Sequence, residues 1–258
     1  MPLLSLSWEE YLRTMPSKPK ESVSLVLLFF NEEECLVRVV EDLISALAGA
    51  GFNFNLVLVD NGSRDRTPEL IRQLAESDSR LIPVTVIENL GFGWGVINGL
   101  ATAPGTWIGY MGGDGQVAAA DVVQLLDLTG SGYDLIKVRR KERQDGFVRS
   151  WISNVYVMLS CLTFGLPFYD VNATPRIFRR EWLKKFRLTS KDWFLDAELL
   201  IKADLLGLTV REFPIVFQKR EGGSSNVNLS TILEFFKNIA RFRFGKELRE
   251  WKRENLSR

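Results

Sequence analysis

The chain has 258 residues, 46% of them hydrophobic and 25% charged, and 33 Lys and Arg against 32 Asp and Glu leave a net charge of +1. These proportions match an ordinary globular domain and exclude a disordered tail, a collagen-like fibre and a disulfide-stapled mini-protein. The near-neutral charge argues against nucleic acid as a partner, and with no histidine in the chain an imidazole base, a Ser-His-Asp triad and a histidine-ligated metal are excluded.

Residues 1–20 mix apolar and charged side chains and do not read as a secretory signal. Ser22 to Phe30 is an almost continuous apolar run, which predicts a strand buried on both faces of a parallel sheet. Asn31 stops it. Glu32, Glu33 and Glu34 are expected in the first turn of a helix, where acidic side chains suit the dipole, and Leu36, Val39, Val40, Leu43, Ile44 and Leu47 follow at helical spacing. Asn55 to Val59 reads as a second strand. Thr67 as N-cap and Pro68 in the first turn open a second helix. Leu81 to Ile87 is a third strand, Trp94 to Ala103 a third helix and Thr106 to Met111 a fourth strand. This alternation predicts an open α/β sheet of crossover units.

Tyr133 to Val138 reads as another strand, followed by a basic run to Arg143. Ser150 to Leu166 carries no charge, but Ser153, Asn154, Ser160 and Thr163 interrupt it, so it reads as a helix lying on an apolar surface rather than a span. Pro175 to Phe178 is a short strand and Phe194 to Leu206 a helix. Leu208 to Phe217 contains Pro214 and therefore suits a sheet edge. Leu229 to Phe244 is an amphipathic helix with a basic tail reaching Arg253. The expected organisation is an extension over 1–21, one domain over 22–227 and a basic amphipathic segment over 228–258. Cys35 and Cys161 fit neither a metal cluster nor a disulfide framework, which suits a reducing compartment.

In an open parallel sheet, ligands bind beyond the carboxyl ends of the strands. Those ends carry Phe30-Asn31-Glu32, Asp60-Asn61-Gly62-Ser63-Arg64-Asp65 and Gly112-Gly113-Asp114-Gly115-Gln116, and the third strand is followed by Glu88 to Gly95. Each cluster has a plain reading: Asp-Asn-Gly is a good turn, and Asp114 could cap the next helix. The glycines from 91 to 95 follow the third strand, whereas a nicotinamide-dinucleotide fingerprint belongs after the first. Their shared edge is what points to one crevice.

In order along the chain, Asn31-Glu32, Val59 to Thr67, Asn89 to Gly93, Met111 to Gln116, Asp170 to Arg180, Asp196 to Leu200 and Arg220 to Ser225 resemble the family 2 glycosyltransferases of GT-A fold. The nearest likeness is to the dolichol-phosphate mannosyltransferase branch. The resemblance implies a GT-A fold: a mostly parallel, Rossmann-like α/β sheet with helices on both faces and an amphipathic C-terminal helix. It implies inverting transfer of a hexose from a UDP- or GDP-sugar to a polyprenyl phosphate; the uncharged helix and the basic C-terminal tail suit peripheral attachment to the membrane, expected on its cytoplasmic face. Phe30, Glu32, Asp60, Asn61, Gly93, Gly113, Asp114 and Asn226 would line the nucleotide-sugar site, and Asp114 and Gln116 would hold Mg²⁺ or Mn²⁺. Arg149 and Arg220 would clamp phosphates, and Asp196 would act at the reaction centre.

Three positions depart from the family pattern: Gly112 and Asn61 stand where aspartates are usual, and Asn226 where a lysine often follows. A hydroxyl acceptor requires a base, for which Asp196 and Glu198 are candidates; two apart on a helix, they do not share a face. A phosphate acceptor is already anionic and requires none. A glycan-hydroxyl acceptor, and a nucleotide-sugar-binding protein without turnover, remain as alternatives.

Overall fold

The computed structural model describes residues 21–141, 157–168, 170–218 and 229–256, with backbone only for 229–235. In its first half, β1 (Val23–Phe29), β2 (Phe54–Asp60), β3 (Leu81–Thr85) and β4 (Trp107–Gly112) alternate with α1 (Leu36–Gly49), α2 (Thr67–Ser77) and α3 (Phe92–Thr102). These strands are parallel and ordered β3-β2-β1-β4. Leu25, Leu27 and Phe29 pack with α1 and α4 (Ala119–Asp127), whereas Val26, between them, packs with α3 and α6 (Leu195–Leu205). Two covered faces explain why β1 is apolar at nearly every position rather than at alternate ones.

The second half adds β5 (Leu135–Arg140), β6 (Arg176–Arg179) and β7 (Val210–Ile215), with α5 (Glu181–Phe186) between β6 and α6. The order continues β4-β6-β5-β7; β6 runs antiparallel to both neighbours, and β5 and β7 are parallel. The expected mostly parallel sheet is present, and Pro214 does lie on an edge strand. α7 (Leu229–Phe244) and α8 (Lys246–Leu256) close the chain. α8 is docked on α5: Trp251 Nε1 donates to Lys185 O (2.7 Å), and Arg187 pairs with Glu254.

Several local expectations change. Glu32, Glu33 and Glu34 lie ahead of α1, whose first turn holds no acid. Thr67 does not cap α2; Asp65 Oδ1 accepts the Thr67 N–H, and the Thr67 hydroxyl accepts the Glu32 N–H across 35 residues (both 3.0 Å). The basic tail beyond Phe244 is itself a helix. Of the uncharged stretch, 157–164 is helical, and Ser150 to Tyr156 lies outside the described residues.

Candidate active site

Backbone hydrogen bonds hold the tips of the central strands level. Asn61 N–H donates to Phe29 O and Gly113 N–H to Leu28 O, each at 2.9 Å. Adjacent strands lie about 4.8 Å apart, so Asp60 and the 112–116 loop, on either side of β1, stand about 10 Å apart on one edge of the sheet. The loops after β1 and β2 are laced together. Asn31, in the left-handed region at φ 54°, donates its N–H to Ser63 Oγ (3.0 Å) and accepts the Arg64 N–H at Oδ1 (2.8 Å). Glu33 N–H donates to Asp65 Oδ2 (3.1 Å), and Glu33 Oε2 accepts the Arg66 N–H (3.0 Å). Asp60 and Glu32 are both buried in this lacing, and Asp60 Oδ1 accepts the Ser63 N–H (2.9 Å).

Cys35 lies beneath this rim. Its thiol donates to Glu32 Oε2 (3.4 Å) and reaches Gly113 O (3.6 Å). Burial first, and then the Glu32 charge, push the thiol pKa up to about 12. It therefore joins the Glu32 side of the rim to the β4 loop as a neutral donor. Gly113 leaves no space for a side chain, since a Cβ there would stand 2.1 Å from the Phe29 ring. Gly112 is different: a Cβ would meet Asp114 Oδ1 at 3.7 Å, an ordinary contact. The backbone thus has space for a carboxylate at 112. Asn61 turns inward, donating Nδ2 to Asn89 Oδ1 and Gly91 O (both 3.2 Å), while its buried Oδ1 has no hydrogen-bond partner.

The acids at the start of α6 are both buried. Asp196 Oδ1 accepts the Tyr110 hydroxyl (2.7 Å) and lies 3.4 Å from Arg176 Nε. Burial raises its pKa, and the Arg176 charge opposes the rise. Arg176 is itself fully buried and donates to Asp196 O (2.6 Å), Val171 O and Ala173 O. Glu198 accepts the Ser190 N–H (2.7 Å), the Thr189 N–H (3.0 Å) and Lys202 Nζ (2.5 Å). Nearby, Lys137 donates to Glu212 Oε1 (2.8 Å) and Asp170 O (2.5 Å); burial, then Arg176, lower its pKa to about 8 against the pull of Glu212. Arg140 grips Asp170 in a fork (2.8 and 2.9 Å). Burial alone would raise the Asp170 pKa, but Arg140 outweighs it and holds the carboxyl well below the usual range.

The segment from Thr189 to Phe194 lies across the glycine loop. Lys191 O accepts the Trp94 N–H (2.9 Å). A Cβ on Gly93 would stand 2.3 Å from Ser190 O and 2.7 Å from Asp192 O, and one on Gly91 2.5 Å from Lys191 O. Gly93 is therefore required for the close passage of that strap.

Among the described residues no group of three or more His, Cys, Asp and Glu could hold a metal. The β4 loop offers the Asp114 carboxylate, with its Oδ1 near the Gln116 N–H (3.2 Å), and the Gln116 amide, which donates to Gln218 O (3.3 Å). This oxygen-rich set suits a hard cation that takes one or two carboxylates and draws its remaining ligands from a substrate diphosphate and water. Phe30 is exposed at the rim. Arg149, Arg220 and Asn226 lie outside the described residues. In the sequence Cys35 reads only as a free thiol, and Asn89 and Arg176 only as parts of longer motifs; Tyr110, which meets Asp196 across 86 residues, reads only as strand, and no local pattern signals such a pairing.

The sequence profile of "Glycosyl transferase family 2" matches residues 24–189, which run from the second residue of β1 through β4 and include every tip just described. The chain belongs to glycosyl transferase family 2. Its relatives include the undecaprenyl-phosphate 4-deoxy-4-formamido-L-arabinose transferase of Pseudomonas aeruginosa, 30% identical over 167 residues, covering 64% of this chain and 49% of that protein. The Edwardsiella ictaluri enzyme of the same name is 25% identical over 224 residues, covering 86% of this chain and 68% of that protein. The chain spans about half the length of the first of these. Glucosyl-3-phosphoglycerate synthase from Mycobacterium tuberculosis, solved with Mn²⁺, UDP and phosphoglyceric acid, superposes with a TM-score of 0.65 at 21% identity, over 87% of this chain and 78% of that one. The fold of this family 2 chain is accordingly GT-A-like.

Proposed function

We propose that this family 2 chain transfers a hexose, with inversion, from a nucleotide diphosphate sugar to a polyprenyl phosphate at a membrane surface. The observation that carries the reading is that both candidate bases at the start of α6 are engaged in buried pairs, Asp196 with Tyr110 and Arg176, Glu198 with Lys202 and the 189–190 backbone. A hydroxyl acceptor needs a proton removed, whereas a phosphate, with a second pKa of about 6, arrives as an anion. In the transfer, an acceptor phosphate oxygen attacks the anomeric carbon, the bond from that carbon to the diphosphate oxygen breaks, and its electron pair leaves on the diphosphate. The undecaprenyl-phosphate relatives support this choice of acceptor.

Asp60 and Glu32 would hold the nucleoside end beside Phe30, with Asn61 and Gly93 fixing the neighbouring loop. Asp114 and Gln116, above Gly113, would hold a divalent cation together with the donor diphosphate. Such a cation neutralises charge on the leaving group. Arg149, Arg220 and Asn226 are assigned to the phosphates from the family pattern, and Asp196 to bracing the reaction centre through Tyr110 and Arg176. Met158 and Leu162, four apart on the 157–164 helix, are exposed, as are Phe236 and Phe244 on α7, which also carries Lys237, Arg241 and Arg243. This combination suits peripheral contact with anionic lipid, on the cytoplasmic face in our reading. No helix among the described residues is long and apolar enough to cross a membrane.

The test is incubation of the full chain with radiolabelled UDP- and GDP-hexoses, undecaprenyl phosphate in detergent, and Mn²⁺. Label entering the organic phase as an acid-labile product is the expected result. Label confined to a water-soluble glycan, or nucleotide-sugar binding without any product, overturns the proposal.

A further inference from the structure

Trp193 is about half exposed (51%), yet its position is fixed from several sides. Its ring stacks on Phe92 (centroids 4.4 Å apart, planes at 11°), and Phe92 meets Tyr110 edge-on at 6.2 Å. Tyr110 in turn holds Asp196. The backbone around Trp193 is equally constrained. Glu198 takes the N–H groups of Thr189 and Ser190, and Lys191 O takes that of Trp94. Asp192 Oδ1 accepts the Phe194 N–H (2.8 Å), while its Oδ2 accepts Asn238 Nδ2 from α7 (2.7 Å). α7 therefore helps place a ring whose outer face is left to solvent. An aromatic face ordered in advance binds without a further entropic cost of positioning.

We propose that the outer face of Trp193 is the platform on which the isoprenyl chain of the acceptor lies while its phosphate enters the site. The inference rests on the polyprenyl-phosphate reading above and names the side chain that recognises the lipid. Its surroundings favour an apolar chain over a sugar ring. Phe92 backs the indole, and Leu90 is exposed (39%) beside the Gly91 that the strap covers. A sugar ring needs hydrogen-bonding partners as well as a flat face, whereas Phe92 and Leu90 are hydrocarbon and the side chains of Asp192 and Asn238 are bonded to each other.

The experiment compares kcat/KM for undecaprenyl phosphate with that for geranyl phosphate, a two-isoprene acceptor, in the same detergent and with the donor that labels undecaprenyl phosphate. In Trp193→Ala the preference for the long chain is expected to fall about ten-fold through KM, the worth of about 50 Å² of apolar contact. Trp193→Phe should restore most of it. Trp193→Gln, which keeps a long side chain over Phe92 and serves if the alanine variant fails to fold, must show the same fall. Equal losses on both acceptors, or an unchanged preference, overturn the inference. Wild-type protein that labels neither prenyl phosphate defeats the function proposed above, and this inference with it.

Discussion

The acids at the β2 and β4 tips and the acids buried around β5 and α6 are held in different ways. At the tips of β2 and β4, Asp60, Asp65 and Asp114 are positioned by backbone N–H groups of their own loops. In the second half, Asp170, Asp196, Glu198 and Glu212 are met by Arg140, Arg176, Lys202 and Lys137, in pairs with little exposure. A backbone amide orients a carboxylate without cancelling its charge, whereas a guanidinium or ammonium cancels it. Under the function proposed above, the first half would receive the cation and the nucleotide, and the second would hold a rigid wall beside them.

The sharpest break of this contrast is Asp114→Ala. Transfer should fall about a hundred- to a thousand-fold while thermal melting stays that of the wild type; an undiminished rate removes Asp114 from the site. On the other side, Asp170→Asn removes the carboxylate charge that Arg140 grips and should cost about 3–5 kcal/mol in urea denaturation at neutral pH. Because the folded carboxyl titrates below its usual 3.8, the unfolded chain binds the proton first as pH falls. The stability contributed by Asp170 is therefore full above 3.8 and is lost as pH drops through the folded value. A penalty that did not shrink in acid would contradict the pairing.

Smaller effects probe the seam between the halves. Gly93→Ala pushes a methyl group into the Ser190 and Asp192 carbonyls and should lower stability by about 1–3 kcal/mol, read as a shift in melting temperature. Asn61→Asp would turn a carboxylate oxygen toward Asn89 Oδ1 and Gly91 O where a donor stands now, at about 1–3 kcal/mol. The least disruptive change is Gly112→Asp. It should alter stability by less than about 0.5 kcal/mol and tighten Mn²⁺ binding in a calorimetric titration with UDP present. A large loss of stability would mean that position 112 is closed to a side chain after all.

The apolar runs of β1, β2 and β4 were legible because strands covered on both faces must be hydrophobic throughout, and the bounds of α7 followed from its amphipathic spacing. The reversed direction of β6 was not legible: a four-residue strand takes its direction from its neighbours. The polar tips could be read, since turn residues crowd there. Their inner workings could not. Thr67 had the look of a cap, but its hydroxyl serves Glu32. Asn61 looked like a ligand-facing residue, but its amide holds the glycine loop. Asp196 was visible as an acid on a helix, whereas Tyr110 and Arg176 come to it only through the tertiary fold.

The tie between Gln116 and Gln218 reaches further than its size suggests. Gln218 N–H donates to Gln116 O (2.8 Å), and the Gln116 amide returns a bond to Gln218 O. The edge strand β7 thus hands the chain directly to the loop that carries Asp114. A displacement of the backbone at 218 would therefore be felt at the Asp114 loop through this two-bond stitch, without crossing the width of the sheet.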